Sequence, residues 1–414
     1  MPNFTNQRIG CNPQATVIRT AIEDFALRIA LVIERFTPAA GGVESVAWQV
    51  AHELDRSGVD VTVLTREAHA GSSKDTRAGP SVQILRASTL WQPLRVLGFS
   101  GAATRAVRAG AYDIVHSFSR TRHQDLYRAG GGSHREYLQR SHSRSGRRLR
   151  RLSPRHRVLL SIEKAIFNDS SQRIQCASRF VADTLIENHG VSRDRIFLLP
   201  NAVDASRFGT PEASAAGRRL RAEVDEKGEQ IWLFPASGWQ RKGLIELFES
   251  FARCRDPGIR LWIAGRDDPR RWKRLAASLG IADRVRFLGH RDDLEIVYGA
   301  VDGMILPTRY DAFANVTLEA AISGLPIVTT DANGAAEWLG EAIVRVSDPT
   351  DSAALAEILQ RGLDPHWRRR LGDEARRKAQ AMDWPGHVAE LCEEYRRILR
   401  LREESKARQG VRLS

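Results

Sequence analysis

Gly303-Met304-Ile305-Leu306-Pro307, followed by Tyr310-Asp311-Ala312-Phe313-Ala314-Asn315-Val316-Thr317-Leu318-Glu319-Ala320-Ala321, is the stretch on which the reading of this chain turns. Its first five residues are an unbroken apolar run, the pattern of a parallel strand buried on both faces. Ala320-Ala321-Ile322-Ser323-Gly324 reads as a helix closed by a glycine cap. Between them lies a strand-to-helix turn with a carboxylate on each side of the helix start. The amides of Phe313, Ala314, Asn315 and Val316 are expected to lack intrahelical partners, and such an edge favours anions. Glu319 lies eight residues beyond Asp311, roughly 12 Å along a helix axis at 1.5 Å per residue. That span suits the two ends of a sugar nucleotide. A plainer reading is equally open here: Asp311 as a helix cap and Glu319 as an ordinary surface acid.

The same alternation extends on both sides. Gln230 to Ala236 reads as a strand feeding Ser237-Gly238-Trp239-Gln240-Arg241-Lys242-Gly243, then a helix from Leu244 to Cys254. Two cations at a strand-to-helix turn suit a diphosphate, since Arg binds bidentately and Lys adds a compact charge. A solvated Arg-Lys pair is the alternative. Strands follow at 260–265, 285–290 and 326–330, with helices at 272–279, 293–300, 353–382 and 387–397. In the first half, Leu27 to Ile33 reads as a strand, Gly41-Gly42 as a turn, and Glu44 to Asp55 as a helix with Val46, Ala47, Val50, Ala51 and Leu54 on one face. Further strands are expected at 59–65, 82–85, 112–117, 175–178 and 195–199, with helices at 98–109 and 180–189. Two such runs predict an α/β protein of two doubly wound, Rossmann-like domains facing a central cleft. The expected division is a loose extension over 1–26, an N-terminal domain over 27–204, a C-terminal domain over 205–382, and a last helix with a basic tail over 383–414.

The chain has 414 residues, 42% of them hydrophobic, enough for two cores, and a formal net charge of +13. That charge favours an anionic partner. It concentrates in His134 to Arg157, where nine arginines face one acid, Glu136, with Tyr137, Leu138, Leu149, Leu152, Val158, Leu159 and Leu160 interleaved or following. A basic, partly amphipathic stretch suits an anionic membrane surface; a solvated basic loop is the alternative. Nucleic acid is set aside, because no recognition helix, finger or stacking platform accompanies the charge. Cys11, Cys176, Cys254 and Cys392 show no metal-ligand or paired spacing, which points to a reducing compartment. No apolar run reaches the length of a membrane span, and residues 1–26 lack the apolar core of a signal peptide.

The ordered set Gly41-Gly42-Val43-Glu44, Pro200-Asn201-Ala202-Val203-Asp204, Arg241-Lys242-Gly243, Asp311 to Ala320 and Gly324-Leu325-Pro326-Ile327-Val328 resembles the family 4 glycosyltransferases of GT-B fold, over about residues 28 to 400. Asp125-Leu126-Tyr127, Ala129-Gly130, Glu163 to Phe167 and Ala264-Gly265 with Asp267 and Pro269-Arg270 add a likeness to glucosyltransferases of the lipopolysaccharide core. The resemblance implies a retaining sugar transfer from a nucleotide-diphosphate sugar, UDP-glucose first, to an anionic glycolipid such as core heptose, without a cofactor or metal. It implies that Gly41 and Gly42 approach donor phosphates or acceptor, and that Gly238, Arg241 and Lys242 hold the diphosphate. Asp311 and the amides of Phe313, Ala314, Asn315 and Val316 would hold the sugar hydroxyls and distal phosphate, and Glu319 the ribose diol. Asp311 stands where the family usually has Glu. His134 would correspond to a catalytic-site histidine and Asp125 would lie with the acceptor. The expected location is cytoplasmic, peripheral at the inner face of the cytoplasmic membrane. Another lipid-linked or exopolysaccharide acceptor, or a non-catalytic module that binds an anionic surface, are the competing readings.

Overall fold

The computed structural model describes residues 27–38, 41–68, 79–87, 91–141, 153–224, 230–254 and 256–413. The expected extension over 1–26, Cys11 and the centre of the Arg-rich stretch, 142–152, lie outside them.

Near-continuous apolar runs build two parallel sheets. The first holds β1 (Arg28–Phe36), β2 (Asp60–Ala68), β3 (Ser81–Ile84), β4 (Ile114–Ser117), β5 (Leu126–Arg128), β6 (Arg173–Cys176) and β7 (Ile196–Leu198), in the order β3-β2-β1-β4-β5-β6-β7. The second holds β8 (Gln230–Pro235), β9 (Ile259–Ala264), β10 (Val285–Gly289), β11 (Gly303–Leu306), β12 (Ile327–Thr330) and β13 (Val344–Val346), in the order β10-β9-β8-β11-β12-β13. The order reverses between β1 and β4 and again between β8 and β11. In sheets of this kind the crevice beyond the carboxyl ends of the strands at that reversal is where ligands bind.

In the first domain α1 (Gly42–Arg56) covers one face, and α2 (Gln92–Ala109), α3 (His134–Ser141), α4 (Pro154–Asn168) and α5 (Arg179–His189) lie with the other. The second domain carries α6 (Pro211–Glu223), α7 (Leu244–Arg253), α8 (Arg270–Ser278), α9 (Leu294–Ala300), α10 (Asn315–Ile322), the single turn α11 (Ala336–Leu339), α12 (Ser352–Arg361) and α13 (Pro365–Gln380). Its core is anchored by the fully buried Trp232, Trp262, Phe248 and Tyr298. The last helix, α14 (Trp384–Leu413), starts where Asp383 Oδ1 accepts the Gly386 amide at 2.8 Å. Its Val388, Leu391, Cys392, Tyr395 and Ile398 pack with β1 and α1 in the first domain's core.

Three details depart from the sequence reading. Residues 353–382 form two helices, broken at Gly362 to Asp364, where the Asp364 carboxylate caps the second. The expected basic tail is helical as far as Leu413, because α14 runs on through solvent with charge pairs such as Arg408 with Glu404. Within the Arg-rich stretch, α3 and α4 turn Leu138 and Leu159 into the protein, at 2% and 8% exposure. Those apolar side chains are therefore not offered to a membrane.

Candidate functional site

The loops at the carboxyl ends of the two sheets meet across the cleft. From the first domain come Gly41-Gly42, the Ala129–Ser133 turn, Ala177-Ser178 and Pro200-Asn201. From the second come the turn from Ser237 to Gly243, the segment from Pro307 to Ala314 and the turn at Asp331 to Ala335. Ser178 Oγ donates to the Ala312 carbonyl at 3.0 Å, Trp338 Nε1 to the Ala177 carbonyl at 3.0 Å, and the Arg179 amide to Glu337 Oε1 at 2.6 Å. Asn201 Nδ2 donates to Asn315 Oδ1 at 2.6 Å, and Asn315 Nδ2 to the Gly42 carbonyl at 3.4 Å. Asn315 thus joins both sides, and the two motifs 273 residues apart in sequence become one site.

Arg241 and Lys242 sit together on the turn between β8 and α7. Gly243 closes that turn at φ 84°, and a Cβ there would lie 2.0 Å from the Pro307 carbonyl oxygen. A side chain has no room, so the turn needs glycine. Asp267 takes the Gly238 amide at 2.7 Å and the Trp239 amide at 3.1 Å. Arg241 Nη1 donates to the Tyr310 carbonyl at 2.5 Å, and the Lys242 ammonium contacts the Asp311 carboxylate directly. Burial, then the neighbouring Arg241 guanidinium, pushes the Lys242 ammonium well below its ordinary value. Burial also lowers Arg241.

The opening stretch has the expected strand and helix, but α10 begins only at Asn315. Asp311 is held apart from it by a backbone bridge to Asn333. The expectation of four free amides is halved: Phe313 N donates to Asp311 Oδ1 at 3.2 Å, and Ala314 N to Asn333 Oδ1 at 3.3 Å. The amides of Asn315 and Val316 keep no partner among the described residues. The cause is local crowding of polar side chains, which claim orphan donors before a ligand can. Glu319, half-buried on α10, accepts from Tyr298 Oη at 3.1 Å. Burial pushes its carboxyl up to about 7, against the pull of the Tyr298 hydrogen bond. It is not the ordinary surface acid of the plainer reading.

Gly41 and Gly42 are exposed at the mouth of the cleft. His134 opens α3 rather than lying in a loop, and it is buried at 7% exposure. Its Nε2 lies 2.8 Å from His156 Nδ1, and its backbone amide donates to Glu163 Oε1 at 2.7 Å. Burial, with Arg120, His156 and Arg155 nearby, lowers its imidazole to about 3. It is a neutral imidazole tied to a second histidine. Asp125 departs from expectation. It precedes β5, at the amino end of the sheet, where its carboxylate accepts the Val115 amide at 2.8 Å and pairs with Arg402 of α14. The cleft lies at the carboxyl ends, so the structure does not bring Asp125 to the other site residues.

Sequence reasoning left out two residues that shape the site. Asn333, 1% exposed, donates to Thr317 Oγ1 at 2.9 Å and Thr329 Oγ1 at 3.1 Å while capping Ala314 and Ala335. Arg128, 3% exposed, donates from Nη2 to Asn201 Oδ1 at 2.5 Å. Asn333-Gly334 reads in sequence only as a turn, and Arg128, between Tyr127 and Ala129, carries no signal of its own there. Among the described residues no group of three or more His, Cys, Asp or Glu is placed to hold a metal ion, and no helix is long and apolar enough to cross a membrane.

Both domains match models of sugar-transferring enzymes. The model described as Glycosyltransferase Family 4 matches residues 40–207, and that described as Glycosyl transferases group 1 matches residues 229–364. The chain belongs to the glycosyltransferases of GT-B fold, with the family 4 model on its N-terminal half. The D-inositol 3-phosphate glycosyltransferase of Geodermatophilus obscurus is 28% identical over 398 residues, covering 86% of this chain and 84% of that protein. The lipopolysaccharide glucosyltransferase WaaG of Escherichia coli K12 is 27% identical over 223 residues, 52% of this chain and 59% of its own. The crystal structure of WaaG superposes with a TM-score of 0.75 at 22% identity, covering 88% of this chain and 99% of that one.

Proposed function

We propose that this glycosyltransferase moves a hexose, glucose first among candidates, from a UDP-sugar to an anionic glycolipid acceptor such as lipopolysaccharide core heptose, with retention at the anomeric carbon. The observation that carries the proposal is the placing of Arg241 and Lys242 against Tyr310 and Asp311, one turn before the amides of Asn315 and Val316, unpartnered among the described residues, and the half-buried Glu319. Arg241 and Lys242 stabilise the diphosphate as its charge develops on bond cleavage. Asp311, held by Lys242, is oriented toward the donor sugar's hydroxyls, and Glu319 accepts from the ribose diol. The leaving phosphate takes the acceptor's proton, so no separate general base is required.

The likeness to a lipopolysaccharide glucosyltransferase favours a core acceptor. The likeness to D-inositol 3-phosphate glycosyltransferases, over most of the chain, favours a second reading in which the acceptor is a small phosphorylated polyol. Incubation with a panel of UDP-sugars, offering core-truncated lipopolysaccharide or inositol phosphate, followed by product mass, separates the two. Turnover of neither acceptor, with no calorimetric heat from any UDP-sugar, would leave the non-catalytic reading. Alanine at Arg241 or Lys242 is expected to lower kcat about 100-fold or more, the usual loss of one transition-state donor. Unchanged turnover would overturn the site assignment.

A further inference from the structure

Among the described residues the Arg128 guanidinium is a charge without a counter-charge. It is 3% exposed at the carboxyl end of β5, and no described carboxylate pairs with it. Its Nε and Nη1 have no partner among the described residues. The groups that face it are Asn201, the Phe118 ring at 5.6 Å, Tyr127, Cys176, and the imidazoles of His116 and His387. Burial keeps both imidazoles neutral by pushing them well down. An uncompensated buried guanidinium destabilises a fold unless something answers its charge.

What lies above it is backbone. A Cβ on Gly130 would stand 1.9 Å from Arg128 Nη1 and 3.5 Å from Val43 Cγ2, so the guanidinium lies directly beneath the Gly130 turn and beside the start of α1. The amides of Gly130 and Gly131 have no partner among the described residues, and neither do those of Gly42 and Val43 in the first turn of α1. Gly131 faces open space. Of the acids near this edge, Glu44 is paired with Arg35 at 2.7 Å and Glu163, behind the 129–133 turn, with Arg120 at 2.9 Å. Orphan amides from two turns thus surround a buried positive charge on the first-domain side of the cleft, across from Arg241 and Lys242. In a low-dielectric surrounding such a charge acts strongly on whatever sits over it, without direct contact.

We propose that Arg128 is the positive floor of an acceptor-side anion site, and that the acceptor presents a phosphate or carboxylate over the Gly41-Gly42 and Gly130-Gly131 turns. This rests on the donor occupying the second-domain side, as proposed above. The test uses the full chain saturated with UDP, so that the donor side is filled, and inorganic phosphate as the probe. Phosphate is expected to raise the melting temperature of the UDP-saturated wild-type complex and to leave UDP-saturated Arg128→Met unmoved. Gly131→Asp, which sets a carboxylate over the same edge, is expected to abolish the phosphate shift, and Gly131→Asn to keep it; this pair carries the test if Arg128→Met fails to fold. Equal phosphate shifts in wild type and Arg128→Met, or in Gly131→Asp and Gly131→Asn, would overturn the proposal. So would an absent shift in wild type that still binds UDP. A wild type that binds no UDP would instead defeat the donor-site reading, and this inference with it. Replacing phosphate by acetate, then by core-truncated lipopolysaccharide, tells a carboxylate from a phosphate and a free anion from a lipid-borne one.

Discussion

At the scale of single residues, the site is a set of charges whose neighbours set their chemistry. Glu319 shows this most directly. Its carboxyl is raised from 4.5 to about 7, chiefly by burial. The folded protein therefore holds this proton more tightly than the unfolded chain does. The stability tied to it is present below about 4.5 and is lost as pH rises through about 7. A ribose diol donates to the ionised form, so UDP binding below neutrality is expected to release a proton. Calorimetry in two buffers of different ionisation enthalpy reads that release directly; Glu319→Gln should release less, leaving only the share that comes from the UDP phosphate. Equal proton release in wild type and Glu319→Gln would remove Glu319 from the ribose. Lys242 and Asp311 teach the same lesson in the opposite sense, because each is held by the other rather than offered to solvent.

Elements explain why those residues stay where they are. The turn between β8 and α7 depends on Gly243, whose φ of 84° and contact with the Pro307 carbonyl exclude a side chain. Gly243→Ala is expected to destabilise the protein by more than about 1 kcal/mol in urea titration, and to weaken UDP binding because Arg241 and Lys242 move with the turn. An unchanged midpoint would mean that β11 yields more easily than the contact implies. The Arg-rich elements α3 and α4 behave differently from an amphipathic membrane helix, since Leu138 and Leu159 are inside. Neutralising Arg147, Arg148, Arg150 and Arg151 should weaken binding to anionic vesicles by about 1 kcal/mol per residue at low salt. High salt should do the same to the wild type. Vesicle sedimentation that ignores both changes would sink the membrane proposal.

For the whole molecule, the decisive contact is the return of α14 to the first domain. Tyr395, fully buried, fills the first core and places its hydroxyl 2.8 Å from His116 Nδ1. His387 Nδ1 lies 2.7 Å from the Pro200 carbonyl, next to the Asn201 that reaches Asn315. The helix that follows the second domain thus helps hold the first domain's share of the cleft. Tyr395→Ala is expected to lose about 3–5 kcal/mol, the usual penalty for emptying a large aromatic site, in denaturant unfolding. A loss below about 1 kcal/mol would show that α14 is not integral to the first domain's core.

Much of this was legible in the chain itself. Alternation of apolar runs with helical periodicity obeys spacings of two and 3.6 residues, so the strand at Gly303–Leu306, the helix after it and the two doubly wound domains follow from sequence. Glycine turns and the Arg241-Lys242 pair were visible for the same local reason. Only the tertiary structure decided what each polar group meets. Lys242 and Asp311 are 69 residues apart, Asn201 and Asn315 are 114, and neither pairing follows from spacing. It took the fold to show that Asn333 claims an amide expected to be free, that Glu319 is half-buried, that Asp125 lies at the far edge of its sheet, and that Arg128 has no counter-ion among the described residues. Ion pairing and desolvation depend on what long-range packing brings together and shuts away from water. Local sequence sets which groups are present, and the closed chain sets which of them are satisfied.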